Sequence, residues 1–116
     1  TGITIAHLEY NPPGRDRDGE YVLIRNSGAT SMDLTGWTLS DGNARHSFTF
    51  PRFSLAPGAE VKLWTRSGNA NAGNLFWASR TAIWNKAGDT ATLCDASGNV
   101  IARYTYQGQT KPRGRR

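Results

Sequence analysis

Residue types that carry chemistry are few in this sequence, and they are scattered. Asp16, Asp18 and Glu20 stand at alternate positions around Gly19. Three carboxylates on one turn can direct their oxygens at a single calcium ion, which makes them the best metal candidates in the chain. The rest of a calcium loop is missing, however, and Arg15 and Arg17 are interleaved where they can neutralise the carboxylates. A solvated charged loop is the favoured reading, and no cofactor is expected. His7 and His46 are too distant in sequence to make a zinc site by themselves. Both fall on predicted strands with no serine in a nucleophile turn nearby, and no Gly-x-Ser-x-Gly elbow occurs, so a catalytic triad is not indicated. Gly68 and Gly73 belong to a glycine-bearing stretch without the Gly-Lys-Ser/Thr ending of a phosphate loop. The expectation is a chain that is not an enzyme.

Cys94 is the lone cysteine, which excludes an internal disulfide and a cysteine metal cluster. It lies in a predicted strand, where a cysteine packs as a small hydrophobe. Four tryptophans remain. Trp37 and Trp84 sit beside strands and turns and are read as core. Trp64 and Trp77 flank the small, polar stretch from Ser67 to Asn74, which is expected to be a mobile loop. They are the candidate binding residues, because a partly exposed aromatic ring suits a sugar face, a nucleobase or a protein partner.

The elements that would position these side chains are short strands. Leu34 and Gly36 bend the chain, after which Trp37 and Leu39 fall on one face and Thr38 and Ser40 on the other. A tryptophan at that position can fill the space between two packed sheets. Ile3 to Tyr10 reads as a first strand, stopped by Asn11-Pro12-Pro13-Gly14. Glu20 to Asn26 is apolar on both faces, with Val22 and Ile24 on one side and Tyr21 and Leu23 on the other, and is expected to be central in its sheet. Asp41-Gly42-Asn43 signals a hairpin into Arg45 to Phe50. Glu60 to Thr65 follows a proline-glycine turn. Leu75-Phe76-Trp77 and Ala82-Ile83-Trp84 are short apolar patches, and Thr90 to Cys94 pairs with Val100 to Tyr106 across a turn. Closely spaced strands, glycine turns and no helical period indicate an all-β sandwich, with Val22, Ile24, Trp37, Leu39, Val61 and Leu93 in its core.

The length of 116 residues fits one domain. Its expected bounds are residues 1–106, followed by a basic, disordered tail over residues 107–116. The net charge of +5 belongs to that tail: Lys111, Arg113, Arg115 and Arg116 lie there, and without them ten basic residues face nine acidic ones, a net charge of +1. Nucleic acid, if bound, would therefore be held by those four cations, without base specificity and with a salt slope no steeper than about −3.6. No apolar run is long enough to span a bilayer. Thr rather than Met at position 1 reads as the mark of a processed chain or an excised domain.

Several blocks, taken in order, resemble the lamin tail domain family, an immunoglobulin-like β-sandwich. They are Tyr10-Asn11-Pro12, the strand from Gly19 to Asn26, Asp33-Leu34-Thr35-Gly36-Trp37-Thr38-Leu39-Ser40-Asp41, Phe50-Pro51 with Leu55-Ala56-Pro57-Gly58, and Ile83-Trp84-Asn85 with Gly88-Asp89-Thr90-Ala91-Thr92-Leu93. The Leu34-Gly36-Trp37-Leu39 block is the most specific. The resemblance implies a non-catalytic module that binds proteins. The Asn-Pro-Pro-Gly and Asp-Arg-Asp-Gly-Glu segments look closer to prokaryotic members, which accompany hydrolase domains in secreted or surface proteins. It supplies no catalytic residues.

Overall fold

The computed structural model describes residues 2–10, 16–42 and 46–107, with the side chains of residues 16 and 17 outside that description. The Asn11–Gly14 stop, Asn43, Arg45 and the tail from Gly108 onward also lie outside it. Among the described residues, ten strands and one helical turn follow in the order β1 (Ile3–Glu9), α1 (Asp16–Gly19), β2 (Tyr21–Asn26), β3 (Met32–Asp33), β4 (Thr38–Ser40), β5 (Ser47–Thr49), β6 (Ser54–Leu55), β7 (Glu60–Trp64), β8 (Asn74–Phe76), β9 (Gly88–Cys94) and β10 (Val100–Gln107). They form two four-stranded sheets, β1-β2-β7-β8 and β10-β9-β4-β5, with β3 and β6 as a small additional pair.

Strand β2 is central in the first sheet, as its two apolar faces require. Its even positions point inward: Glu20 just before it, then Val22, Ile24 and Asn26, are all fully buried. Val22 and Ile24 share one core with Leu39, Ala91 and Leu93 of the second sheet and with Val61, Leu63 and Leu75 from β7 and β8. Trp37 lies in the same core at 6% exposure. Its approach is set by a reverse turn in which the Trp37 amide donates to the Leu34 carbonyl at 3.0 Å. Gly36 holds φ at +81° in that turn, at the position where a type II turn needs a glycine. The strand then locks onto β5, with the Phe50 amide on the Trp37 carbonyl at 2.8 Å.

Both ends of the sandwich are closed by aromatic pairs that bridge the sheets. At the β1/β10 edge, Tyr10 stacks on Tyr106 with centroids 4.2 Å apart. The Tyr106 hydroxyl donates to the Asn85 carbonyl at 2.6 Å, and burial pushes its phenol above the ordinary range. At the β8/β5 edge, Phe48 meets Trp77 at 5.9 Å, and Trp77 in turn meets the edge of Trp84.

The buried polar groups of β2 are met by specific partners. Asn26 donates to the carbonyls of Thr30 and Leu55, each at 2.9 Å, and accepts from the Gly28 amide. In the β9–β10 turn the amides of Ser97 and Asn99 donate to Asp95, and the Asn99 bond holds that carboxyl below its ordinary value. A depressed folded value makes the associated stability present at neutral pH and lost as pH falls below the usual aspartate range.

The structure departs from the strand pattern in four places. A β-bulge between Ile5 and His7 breaks the alternation of β1, so Leu8 is buried and His7 faces outward. The stretch expected to be a mobile loop ends in an ordered turn. The Asn71 amide bonds the Asn74 carbonyl, the Asn71 side chain accepts from the Gly73 amide, and the Lys62 amide bonds the Gly73 carbonyl at 2.9 Å. The Leu75 patch is a strand running parallel to β7, and the last strand reaches Gln107, which pairs with Gly88 one residue past the expected end of the domain.

Candidate interaction surface

The two outer faces of the sandwich differ in chemistry. The outward positions of β4, β5 and β9 are hydroxyl-rich, with Thr38 opposite Thr49, Ser40 opposite Ser47 and Thr92 opposite Ser40. The outer face of the first sheet carries aromatic rings and cations. Antiparallel register sets Tyr21 opposite Trp64 and Leu23 opposite Lys62, and the parallel β8 sets Phe76 opposite Trp64 and Asn74 opposite Lys62. All six side chains are half-buried, and exposed His7 extends the row onto β1.

The rings form a cross-strand series. His7 and Tyr21 have centroids 5.8 Å apart, and Tyr21 and Trp64 5.0 Å apart with their planes tilted by 52°. Lys62 Nζ lies 4.7 Å from the Tyr21 centroid and 5.4 Å from that of Trp64. Arg66 sits between Trp64 and Phe76, its Cζ 4.8 and 5.2 Å from the two rings. The Trp64 indole N–H donates to Asn74 Oδ1 at 2.8 Å, which fixes the ring on β8. Gly68 packs on Phe76: a Cβ there would come within 2.5 Å of the ring, so a larger residue would push the ring from its place. Beyond β8, the amides of Trp77, Ala78 and Ser79 bond the carbonyls of Trp64, Arg66 and Thr65, which clamps the backbone under Arg66.

The sequence-derived candidates are divided by this geometry. Trp64 lies in the centre of the outer face. Trp77 follows the end of β8 and packs against Phe48 and Trp84 at the sandwich edge, so the two rings do not share a surface. Of the three carboxylates, Asp18 is exposed on the helical turn, the Asp16 side chain lies outside the described residues, and Glu20 is fully buried. Glu20 Oε1 accepts from the Thr65 hydroxyl at 2.9 Å, the Ile83 amide at 3.0 Å and the Trp84 amide at 3.5 Å. It therefore ties β2 to the strandless Ile83–Trp84 segment. The sequence signal for this was the parity Glu20 shares with Val22 and Ile24. Lys111, Arg113, Arg115 and Arg116 lie outside the described residues. Among the folded arginines, Arg66 joins the aromatic face, and Arg52 lies beside the groove of Asp33, Thr35, Phe53 and Ser54. The alternate Lys62, Trp64 and Arg66 were the signal that strand reading passed over: residues two apart in a strand share a face.

One consequence concerns metal. A calcium ion at the charged loop would have to draw Glu20 out of the core, so millimolar calcium is expected to leave the melting temperature unchanged. A ligand that binds only the folded chain would raise it. A rise that Asp16→Asn abolishes would overturn this expectation.

Among the described residues no helix is long and apolar enough to cross a membrane. No curated protein is found to match the chain. The family model described as Lamin Tail Domain matches residues 1–108, from before β1 to beyond the end of β10. The match spans nearly the whole chain, and the two-sheet architecture agrees with it. The chain belongs to the lamin tail domain family and has its immunoglobulin-like β-sandwich fold.

Proposed function

We propose that this domain is a non-catalytic protein-interaction or targeting module of a larger bacterial protein, secreted or held at the cell surface. The observation that carries the reading is the asymmetry of the sandwich. One outer face is hydroxyl-rich, while the other bears Tyr21, Trp64 and Phe76 interleaved with Lys62 and Arg66 on a rigid four-stranded sheet. Aromatic residues and arginine are the types enriched where proteins meet. The bacterial, exported setting rests on the likeness of the Asn11–Gly14 and Asp16–Glu20 segments to prokaryotic members of the family.

Site-specific photocross-linking tests the reading. A photoreactive residue at Leu23, within the aromatic face, is expected to trap a protein partner in the cells of origin. The same group at Thr92, on the hydroxyl face, is expected to trap none. Adducts from Thr92 alone, or from neither position, would reject the assignment of the face.

A further inference from the structure

The geometry points to a short acidic segment of a partner protein as the occupant of the Lys62–Trp64–Arg66 strip. This rests on the reading of the aromatic face as the interaction surface and adds the chemistry of the partner.

Three observations carry it. The first is charge. Among the described residues neither Lys62 nor Arg66 has a carboxylate within ion-pair distance, whereas the neighbouring Arg25 and Glu60 pair with each other at 2.5 Å and His7 pairs with Glu9 at 3.3 Å. Among the described residues, the unneutralised positive charge of this face is thus confined to the two cations beside Trp64. The second is preorganisation. Arg66 is stacked between two rings, its Nε donates to the Asp18 carbonyl at 3.1 Å, and its Nη1 donates to the Ser67 carbonyl at 3.2 Å. A guanidinium has five N–H donors. The donors left over, on a head group already held in place, suit a forked bond to a carboxylate.

The third observation separates peptide from nucleic acid. Single-stranded nucleic acid gains affinity by laying its bases on open aromatic faces. Here Lys62 lies over Tyr21 and Trp64, Arg66 lies over Trp64 and Phe76, and the Tyr21 and Trp64 planes are tilted rather than aligned. Bases would have to displace the cations that their phosphates need. Two cations also neutralise few phosphates, and a polyanion continuing along β7 would meet Glu60 next. Carboxylates on a short extended segment need only the cations, and the apolar stems of the segment can rest on Trp64 and Leu23.

The test uses the whole chain, labelled with nitrogen-15, and three probes: a synthetic peptide of alternating Glu and Thr, its alternating Lys and Thr counterpart, and an oligothymidylate of matched charge. Binding is read from the Trp64 indole resonance at low and physiological salt. The Glu peptide is expected to shift that resonance and to weaken with salt, and the Lys peptide is expected to leave it unmoved. Lys62→Gln with Arg66→Gln should weaken the Glu peptide by about ten-fold or more, since each lost bond involves a charged group. Lys62→Glu with Arg66→Glu should reverse the preference towards the Lys peptide, a gain that misfolding cannot imitate. A chain ending at Gly108 should bind as the whole chain does. The inference is overturned if the double variants bind the Glu peptide unchanged, if truncation at Gly108 removes binding, or if oligothymidylate binds more tightly than the peptide. Should the Glu peptide fail while a cross-linker at Leu23 still traps a protein, the acidic-segment inference falls and the assignment of the face stands. Should Leu23 trap nothing, the assignment itself falls.

Discussion

Replacing Trp37 with alanine is expected to destabilise the domain by ~3–5 kcal/mol, the range for truncating a large buried aromatic. Trp37 is 6% exposed and shares the core with Leu34, Leu39, Phe50 and Leu93. The surrounding backbone leaves it little room to relax. The Gly36 amide is held by the Phe50 carbonyl at 3.1 Å and the Phe50 amide by the Trp37 carbonyl at 2.8 Å, so the walls of the cavity belong to a hydrogen-bonded hairpin. Against a total of about 5–15 kcal/mol for a domain of this size, the loss removes a large share of the stability. A fall in melting temperature of more than about 10 °C is expected on the usual scaling. Trp37→Phe, which keeps a ring in the same space, should cost less than half as much. An unchanged melting curve for Trp37→Ala would show that the indole does not hold the sheets together.

Glu20→Ala is expected to cost ~3–5 kcal/mol in metal-free buffer. Three contributions add. The Ile83 amide, now bonded to Glu20 Oε1 at 3.0 Å, would be left buried without that acceptor, and a buried orphan donor costs about 1–3 kcal/mol. The Thr65 hydroxyl, 1% exposed as a residue, loses its acceptor too, and the deleted side chain leaves a void beside Trp84. Glu20→Gln keeps an acceptor oxygen in place and should lose much less. Urea unfolding measures both: the midpoint should fall while the slope is unchanged, because the surface exposed on unfolding is nearly the same. This experiment also separates the two roles conceivable for the residue. As a ligand in a surface loop, Glu20 would be replaceable without loss of stability when no metal is present. As a tie between β2 and the Ile83–Trp84 segment, it would not.

The two residues illustrate how the same inward phase reads differently from sequence. Trp37 announces itself, because a large apolar ring after a glycine turn has one place to go. Glu20 has the same parity as Val22 and Ile24, yet its charge and its neighbours Asp16 and Asp18 draw the eye to the solvent. A buried carboxylate is tolerable only where donors converge on it, and these donors, Thr65 and the Ile83 amide, come from 45 and 63 residues further along the chain. Nothing local to Glu20 foretells them.

What the sequence by itself determined is local. The two-residue period of Val22 and Ile24, the Leu34–Gly36 bend before Trp37, the turn at Asp95–Asn99 and the charge segregated at the C-terminus all depend on neighbours in the chain, and so does the ordered set of motifs that marks the family. Tertiary structure decided the rest. The bulge in β1 turned His7 outward beside Tyr21, where strict alternation with Ile3 and Ile5 would have buried it. Parallel pairing of β8 with β7 brought Phe76 opposite Trp64, while Trp77, past the end of β8, packs against Phe48 at the sandwich edge. The aromatic face is drawn from strands separated in sequence, and its composition depends on register. A shift of one residue in any of these pairings would exchange its inner and outer side chains, because successive residues of a strand point to opposite faces.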